Sequence, residues 1–303
     1  MRLVLAGGTG FIGRALRESL TARGHEVVVL TRQSARENQP GVRTRYAGWN
    51  PPNGGPWERE LDGVEGVINL AGEPIVGKRW TEHRKQKIVE SRTGAARAIV
   101  TALRKARKKP SFLLNASAIG YYGSHGDETL VEESPAGRDF LAASCRAWEA
   151  EALKAEEAVV RVIRLRIGIV LEQGGGALGK MLPPFRLGLG GPLGSGRQWM
   201  SWIHRDDLIG LIHFAIEKKE VRGVLNATAP NPVTMKEFTT TLGRTLGRPA
   251  LFPVPAFVLR ILLGEMADVL LTGQRVLPKR ALDHGYSFKF PELGKALKEI
   301  LTR

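Results

Sequence analysis

A glycine-rich turn near the start of the chain constrains the fold more than any other stretch. Residues 1–14 contain a short apolar run, a turn with glycine at spaced positions and the beginning of a helical pattern. In dinucleotide sites such glycines allow a sharp turn out of a strand, close backbone approach to a pyrophosphate and tight packing of the helix on the sheet. The helix N-terminus, with its unpaired amides, favours the negative charge of that pyrophosphate. The residues expected to contact a dinucleotide here are Gly7, Thr9, Gly10, Phe11, Ile12 and Gly13.

Strand and helix patterns alternate after this turn, which favours a dinucleotide site over a flexible loop. Apolar residues recur at helical spacing through 11–23, Gly24 ends that helix, and 26–31 reads as a buried strand. Further strands are predicted at 43–47, 66–72, 111–117, 160–167 and 224–226, and helices at 79–109, 140–149, 235–246, 256–271 and 292–301. This alternation predicts an α/β fold of the Rossmann type, a doubly wound and mainly parallel sheet flanked by helices.

Two regions are predicted within this fold. Residues 1–168, with 203–228 returning to them, would form the NADP-binding Rossmann domain. Residues 169–202 and 229–303 would form a smaller, mostly helical C-terminal substrate lobe. Ligand is expected to bind between the two regions.

The composition fits a globular protein and excludes several other classes. The chain has 303 residues, 43% hydrophobic and 25% charged, so disordered and fibrous classes are excluded. Cys145 is the only cysteine, which excludes an intramolecular disulfide and a multi-cysteine metal site, and no metal site is predicted. Prolines and charges interrupt the apolar stretch 251–271, so it fails as a membrane span. Because the first strand begins at Leu3, with no apolar leader before it, we expect a cytoplasmic protein. The oligomeric state, monomer or homodimer, stays open.

The end of the second strand indicates which cofactor fits. An NAD site carries Asp or Glu about 20 residues after the glycines, where it binds the ribose 2′-hydroxyl. This chain instead has Thr31 and Arg32, followed by Ser34 and Arg36, with no acid. Arginine binds a 2′-phosphate through charge-assisted hydrogen bonds, so NADP(H) is favoured. The alternative is that these arginines are ordinary exposed loop residues.

Small residues end the strand at 66–72, at the sheet edge where such folds bind ligands. Asn69, Leu70, Ala71 and Gly72 would let a flat ribose or adenine approach the carboxyl end of that strand. Tight packing under a helix explains the same spacing equally well.

Several separated segments match one known superfamily. They are Gly-Gly-Thr-Gly-Phe-Ile-Gly at 7–13, Asn-Leu-Ala-Gly at 69–72, Ser-Ala-Ile-Gly-Tyr-Tyr-Gly at 117–123, the segment 190–198, Trp-Ile-His-Arg-Asp-Asp at 202–207 and Gly-Gln-Arg-Val-Leu-Pro at 273–278. The chain therefore resembles the extended short-chain dehydrogenase/reductase (SDR) superfamily, and within it the atypical branch called epimerase family proteins. That resemblance implies an NADP-type cofactor and leaves the substrate unassigned. With the strand ends, it gives these expected cofactor contacts: Thr31, Arg32, Arg36, Asn69, Leu70, Ala71, Gly72, Arg92, Ser117 and Leu165.

The catalytic pair of that superfamily is missing. Its members use a tyrosine whose pKa is lowered by a lysine four residues later, with a serine that orients the substrate oxygen. Residues four positions after the tyrosines Tyr46, Tyr121, Tyr122 and Tyr286 are Asn50, His125, Gly126 and Phe290. Aligning Glu149 with the usual glutamate of the family puts Leu141 at the tyrosine position and Cys145 at the lysine position. The remaining catalytic candidates are Ser117, Tyr121, Tyr122 and Cys145, although a lone buried cysteine is more often plain core.

Three later motifs bear on ligand binding. The run 174–180 matches a P-loop until Met181, and Pro183-Pro184 would interrupt the required helix, so a kinase or ATPase is rejected. Glycines, Arg197 and Trp199 in 188–202 predict a loop that closes over a flat or anionic substrate. In His204-Arg-Asp-Asp207, a helix cap from Asp206 or Asp207 is preferred over a metal site.

Much of the net charge of +15 is concentrated in one segment. Between Lys78 and Lys109 there are twelve Lys or Arg against Glu82 and Glu90, an excess of 12 − 2 = +10. A solvated helix face explains such a run better than nucleic-acid binding, since no aromatic stacking pattern accompanies it.

Two functions follow from these observations. The leading hypothesis is an NADP(H)-dependent oxidoreductase or epimerase-like enzyme acting on a small polar, possibly nucleotide-linked molecule, with Arg197 and Trp199 touching the substrate. The alternative is a non-catalytic NADPH-binding sensor that recruits an acidic partner through the basic segment 78–109.

Overall fold

A central sheet of seven parallel strands organises the computed structural model of the chain, which describes residues 1–32 and 41–302. In chain order the strands are β1 (Arg2–Ala6), β2 (Glu26–Thr31), β3 (Thr44–Gly48), β4 (Gly66–Asn69), β5 (Phe112–Ala118), β6 (Thr129–Leu130), β7 (Arg161–Ile167), β8 (Ile169–Leu171), β9 (Trp199–Met200), β10 (Trp202–His204), β11 (Gly223–Ala227), β12 (Val233–Thr234) and β13 (Arg275–Val276). The helices are α1 (Phe11–Ala22), α2 (Glu82–Lys105), α3 (Phe140–Leu153), α4 (Gly176–Arg186), α5 (Arg205–Glu217), α6 (Met235–Leu246), α7 (Ala256–Leu263), α8 (Asp268–Leu271), α9 (Lys279–Asp283) and α10 (Leu293–Thr302).

The order of the strands confirms the predicted doubly wound fold. Across the sheet the strands run β11-β7-β5-β4-β1-β2-β3, and every pairing is parallel. The direction of the crossovers reverses between β1 and β4. At such a switch point the carboxyl ends of the strands leave a crevice in which ligands bind. The glycine turn follows β1 at this point.

Both faces of the sheet are covered, as its continuous apolar strands predict. Leu3 and Leu5 of β1 face one layer that contains α1 and α5. Val4 and Ala6 face the opposite layer, which contains α2. A separate apolar cluster joins α4, α6 and α10 around Trp202. Segments that the sequence assigns to the second lobe therefore share a core, while the domain boundaries themselves stay a prediction.

Two helix predictions needed correction. Helix α4 continues through Pro183 and Pro184, because the φ of proline suits a helix and each proline removes only one backbone donor. The helix predicted at 256–271 breaks at Gly264, whose φ of +61° suits glycine. Within the described ranges, no helix combines the length and apolar character needed to cross a bilayer.

The start of α5 also differs from the prediction that an aspartate caps it. The His204 ring caps the helix, because its Nδ1 accepts from the Asp206 amide at 3.1 Å. The buried carboxylate of Asp207 instead accepts from the backbone amides of Lys289 and Phe290, at 2.7 and 2.9 Å. Asp207 therefore ties the C-terminal segment to α5.

A buried histidine on α5 predicts acid sensitivity. His213 bonds the Ser19 hydroxyl of α1 at 2.8 Å, and burial, together with the charges of Arg23 and His25, lowers its pKa to about 4, while Glu217 lies beside it. Because the folded pKa is below the unfolded value, its stabilising effect is complete above about pH 6.5 and is lost as the pH falls towards 4. We expect the free energy of unfolding to drop by about 2 kcal/mol over this interval. Urea unfolding of the protein and of His213→Gln should differ in pH slope; equal slopes would contradict the prediction.

Candidate functional site

The glycine turn is compressed against the end of β4. Gly7 has a φ of +80°, and a Cβ there would lie 2.8 Å from the carbonyl of Leu70. A Cβ on Gly13 would lie 2.1 Å from the carbonyl oxygen of Gly7. Since both neighbours are backbone, neither can move aside for a side chain. The turn therefore requires glycine at both positions.

The N-terminus of α1 is open to a ligand. Gly10 is its N-cap, is exposed and provides no side chain to bond the first amides. Thr9, Phe11 and Ile12 flank it and are half-buried. The unpaired amides of a first helical turn, with the helix dipole, form an anion site. The predicted pyrophosphate contacts are thus brought together around one helix end.

Residues at the end of β2 have contrasting environments. Thr31 is buried, whereas the Arg32 side chain is 76% exposed and lies 3.8 Å from Glu73. A guanidinium in this position is free to turn towards a phosphate beside the glycine turn. Arg36, the other cation predicted to serve the cofactor, lies outside the described residues.

The end of β4 is fixed by a buried amide pair. Asn69 Nδ2 donates to Asn115 Oδ1 at 2.7 Å, and Asn69 Oδ1 accepts from the Ala71 amide at 3.1 Å. Leu70 and Ala71 are half-buried and Gly72 is exposed. These bonds set the path of the chain beside the glycine turn.

Arg92, whose direction the sequence left undetermined, points inward from α2. Its guanidinium donates to the carbonyls of Ile88 and Glu73, both at 3.0 Å, and lies 5.3 Å from the Trp148 ring. Burial lowers the pKa of Arg92, yet arginine remains charged at neutral pH. The structure thus places one cation beneath Gly72.

Ser117 belongs to a buried ionic network. Its hydroxyl donates to Glu149 Oε1 at 2.7 Å. Arg166 donates to the same carboxylate through Nε at 2.8 Å and Nη2 at 3.0 Å, and Arg164 adds a contact of 3.2 Å. The Ser117, Glu149 and Arg166 side chains are almost fully buried. In the sequence, Glu149 serves only to align the chain with the family. No short motif marks its pairing with Arg166, so the sequence gives no sign of the arginine's role.

The two adjacent tyrosines pack against the same arginine. Tyr122 is fully buried, donates to Asn226 Oδ1 at 2.8 Å and accepts from Arg166 at 3.0 Å. Burial raises its pKa to about 12. Tyr121 stacks its ring 3.3 Å from the Arg166 guanidinium. Neither tyrosine lines the large cavity described below.

Cys145 and Leu165 are core residues. Cys145 is buried on α3 next to Ser117, and burial raises the pKa of its thiol to about 11. Leu141 lies one turn earlier, against Gly120. Leu165 is fully buried between β5 and β11, so this predicted contact offers no surface to a cofactor.

A cavity of about 750 Å³ opens beside Phe11 of the glycine turn. It is lined by residues that follow β4, by α4 and by segments from 189 to 272. Trp199 forms part of its wall, held by Asp127 through a hydrogen bond of 2.7 Å. Arg197 is exposed and does not line it. Trp199, the predicted aromatic contact to the substrate, therefore lies at the cavity. Arg197, the predicted contact to a substrate anion, does not.

The basic segment 78–109 is partly neutralised within the protein. Five of its cations pair with acids from other segments: Arg84 with Glu73, Lys85 with Glu265, Arg97 with Glu151, Arg104 with Glu157 and Lys105 with Glu58. Arg92 is buried, and Arg79 donates to carbonyls of α7. Such pairing leaves a weaker positive face for an acidic partner than the sequence suggested.

One group of possible metal ligands occurs among the described residues. His25, His213 and Glu217 each place a ligand atom within 4.8 Å of the others. The group lies near the amino end of β2, whereas the glycine turn lies at the carboxyl ends of the strands.

Comparison with known proteins identifies relatives across the whole chain. Residues 3–227 match the model of the NAD dependent epimerase/dehydratase family, and residues 254–300 match a domain of unknown function, DUF1731. The Epimerase family protein SDR39U1 homolog, chloroplastic, of Arabidopsis thaliana is 44% identical over 99% of this chain and 87% of its own length. Epimerase family protein YfhF of Bacillus subtilis is 41% identical over 100% and 98%. The crystal structure of human epimerase family protein SDR39U1 with NADPH is 39% identical, covers 100% of both chains and superposes with a TM-score of 0.88.

Proposed function

Because this chain belongs to the NAD-dependent epimerase/dehydratase family, in its atypical SDR branch, we propose that it binds NADP(H) and transfers hydride to or from a small molecule in the 750 Å³ cavity. The observation that carries the proposal is the glycine turn, where a Cβ at Gly7 or Gly13 would strike backbone and the N-terminus of α1 is left uncapped. The NADPH in the human relative agrees with the cofactor expected from the sequence.

Each part of the cofactor has residues that fit it. The amides of Phe11 and Ile12 in the first turn of α1 would hold the pyrophosphate, with Thr9 and Gly10 beside it, and Arg32 would hold the 2′-phosphate. Leu70, Ala71 and Gly72 would border the ribose or adenine, with Arg92 beneath them. When bound, the nicotinamide supplies hydride chemistry, and the protein positions the substrate and excludes water.

The protein's own acids and bases set limits on the mechanism. At neutral pH Tyr122 and Cys145 stay protonated, because burial raises the pKa of both groups. Neither is therefore a base near pH 7. The Ser117 proton is engaged by Glu149, so in this proposal Ser117 positions α3 against β5 rather than orienting a substrate oxygen.

Cofactor preference tests the proposal. We expect NADPH to bind at least about tenfold more tightly than NADH, since a charge-assisted contact of about 1.4 kcal/mol gives that ratio. Arg32→Glu should abolish the preference, because its carboxylate would repel a 2′-phosphate. Fluorescence titration measures both affinities. Arg107→Glu, an exposed arginine elsewhere, is the matched control and should keep the preference. Equal affinities of the unchanged protein for both cofactors would refute the assignment of Arg32.

A non-catalytic NADPH-binding protein is the second candidate, favoured by the buried, protonated state of Tyr122 and Cys145. Single-turnover oxidation of bound NADPH by a panel of carbonyl compounds separates the two functions. Hydride transfer to any of them supports the enzyme. Tight NADPH binding without any transfer supports the sensor.

A further inference from the structure

The cavity beside Phe11 is walled mainly by apolar side chains. Ile75, Met181, Phe185, Leu193, Leu259 and Leu270 are representative, and they come from five different segments of the chain. A volume of about 750 Å³ is within the range of small-molecule sites. The wall therefore offers dispersion and desolvation rather than hydrogen bonds to most of a ligand.

The polar side chains in this wall have most of their donors engaged by the protein. Gln198 Nε2 donates to the carbonyls of Leu193 and Leu270, at 2.9 and 2.8 Å, while its amide oxygen is buried and has no partner among the described residues. Thr272 Oγ1 donates to the Asp268 carbonyl at 2.7 Å, and the Trp199 indole donates to Asp127. Several hydroxyl groups brought into this cavity would lose water and find few side-chain donors in exchange, which is unfavourable.

The two charged residues of the wall approach the same loop. The Arg92 guanidinium lies under Gly72, and Lys180 Nζ would be 3.3 Å from a Cβ on Gly77. Among the described lining residues none is acidic. The Arg92 and Lys180 side chains therefore make the end of the cavity beside segment 72–77 positive, since the Glu73 carboxylate of that segment is paired with Arg84, and the rest of the cavity is apolar.

The rim is apolar as well. Val76 and Leu189 line the cavity and are also exposed, by 38% and 59%. On α7, Leu259 faces the cavity while Phe257 and Ile261 are exposed on the outer surface. These exposed side chains give an apolar ligand an apolar surface next to the cavity.

We propose that the cavity binds an elongated ketone or alcohol with a long hydrocarbon body, its oxygen at the positive end beside residues 72–77, rather than a sugar nucleotide. The inference rests on the proposed function in one respect: the carbon that bears the ligand's oxygen is the carbon that exchanges hydride with the cofactor. The binding itself follows from the cavity wall. This substrate class differs from the small polar one that the sequence suggested.

Calorimetric titration with a series of 2-alkanones tests the inference. The protein is saturated with NADP⁺, so that no ketone is reduced, and 2-octanone, 2-decanone and 2-dodecanone are titrated in turn. We expect one site per chain and an affinity that rises by up to about fourfold for each added methylene, with a negative heat-capacity change. UDP-glucose is titrated in parallel and should give no binding. An affinity independent of chain length, or tighter binding of UDP-glucose, would overturn the inference.

Two variants locate the binding. Ala177 is exposed on the cavity side of α4, so Ala177→Trp fills the space without a buried clash, and 2-dodecanone should bind at least about tenfold more weakly. Ala150→Trp makes the same change at an exposed site on α3 outside the cavity and should bind like the unchanged protein. If Ala177→Trp fails to fold, Leu189→Lys at the exposed rim serves instead and should also weaken binding. Unchanged affinity in a folded cavity variant would exclude this cavity.

The outcomes separate this inference from the proposed function. Binding of 2-alkanones by a protein that fails to bind NADP(H) would support the apolar ligand and refute the cofactor role. Tight NADPH binding without length-dependent binding of 2-alkanones would leave the cofactor role standing and refute the apolar ligand.

Discussion

Replacing Glu149 with glutamine is expected to destabilise the protein by about 3 kcal/mol, because it leaves the charge of Arg166 buried without its carboxylate partner. The glutamine NH2 cannot accept, so the contacts of Arg166 Nη2 and Arg164 to one oxygen are lost, while Ser117 and Arg166 Nε keep only a neutral acceptor. Chemical unfolding monitored by circular dichroism measures the change.

Glu151→Gln is the matched control for this prediction. Glu151 lies two residues later on α3 and pairs with Arg97 and Lys154, both about half exposed or more. Exposed pairs contribute about 1 kcal/mol or less, so this variant should stay close to the unchanged protein. A double variant Glu149→Gln, Arg166→Met should recover part of the loss, since it removes the unpaired charge as well. Equal stabilities of Glu149→Gln and Glu151→Gln would contradict the role given to the network.

Replacing Gly13 with alanine is expected to weaken NADPH binding at least about 100-fold, a loss of about 2.7 kcal/mol. The added Cβ would lie 2.1 Å from the Gly7 carbonyl oxygen, so the turn itself must open. The same shift should lower the melting temperature. Fluorescence titration with NADPH and thermal unfolding measure the two effects separately.

Two other glycines sharpen this test. A Cβ on Gly10 meets only the Gly7 carbonyl oxygen, at 3.3 Å, so Gly10→Ala should leave stability nearly unchanged while it still hinders the approach of a pyrophosphate. Gly294 lies inside α10, where a Cβ meets nothing closer than 3.9 Å, and Gly294→Ala should change neither property for the worse. If Gly13→Ala binds NADPH as well as Gly294→Ala does, the turn is not the pyrophosphate site.

The fold could be predicted because its signals are local. The glycine turn and the apolar runs of β1 and β2 each depend on residues a few positions apart, and each was found where the sequence indicated. Resemblance to known motifs supplied the family. The strand predicted at 43–47 is found as β3, and the strand order places it at the edge of the sheet.

The site was less predictable because its geometry depends on distant packing. Nothing near Arg92 in the sequence indicates that its side chain turns inward to the Glu73 carbonyl. Likewise, nothing near Tyr122 indicates that its hydroxyl donates a hydrogen bond to Asn226, 104 residues later. The apolar cavity is assembled from segments that are each unremarkable alone, so only their arrangement gives it a chemical character. The His204 cap escaped prediction because aspartate is the commoner capping residue.

The Asp207 contacts have a consequence for how the chain matures during translation. This carboxylate leaves the ribosome 82 residues before the Lys289 amide that it accepts, and burial raises its pKa. Until that amide and its neighbour at Phe290 have been synthesised, the carboxylate has no such partners and must stay hydrated. The two bonds that hold the first turn of α5 to the C-terminal segment can therefore form only after the nascent chain has extended past residue 290, long after α5 itself has been synthesised.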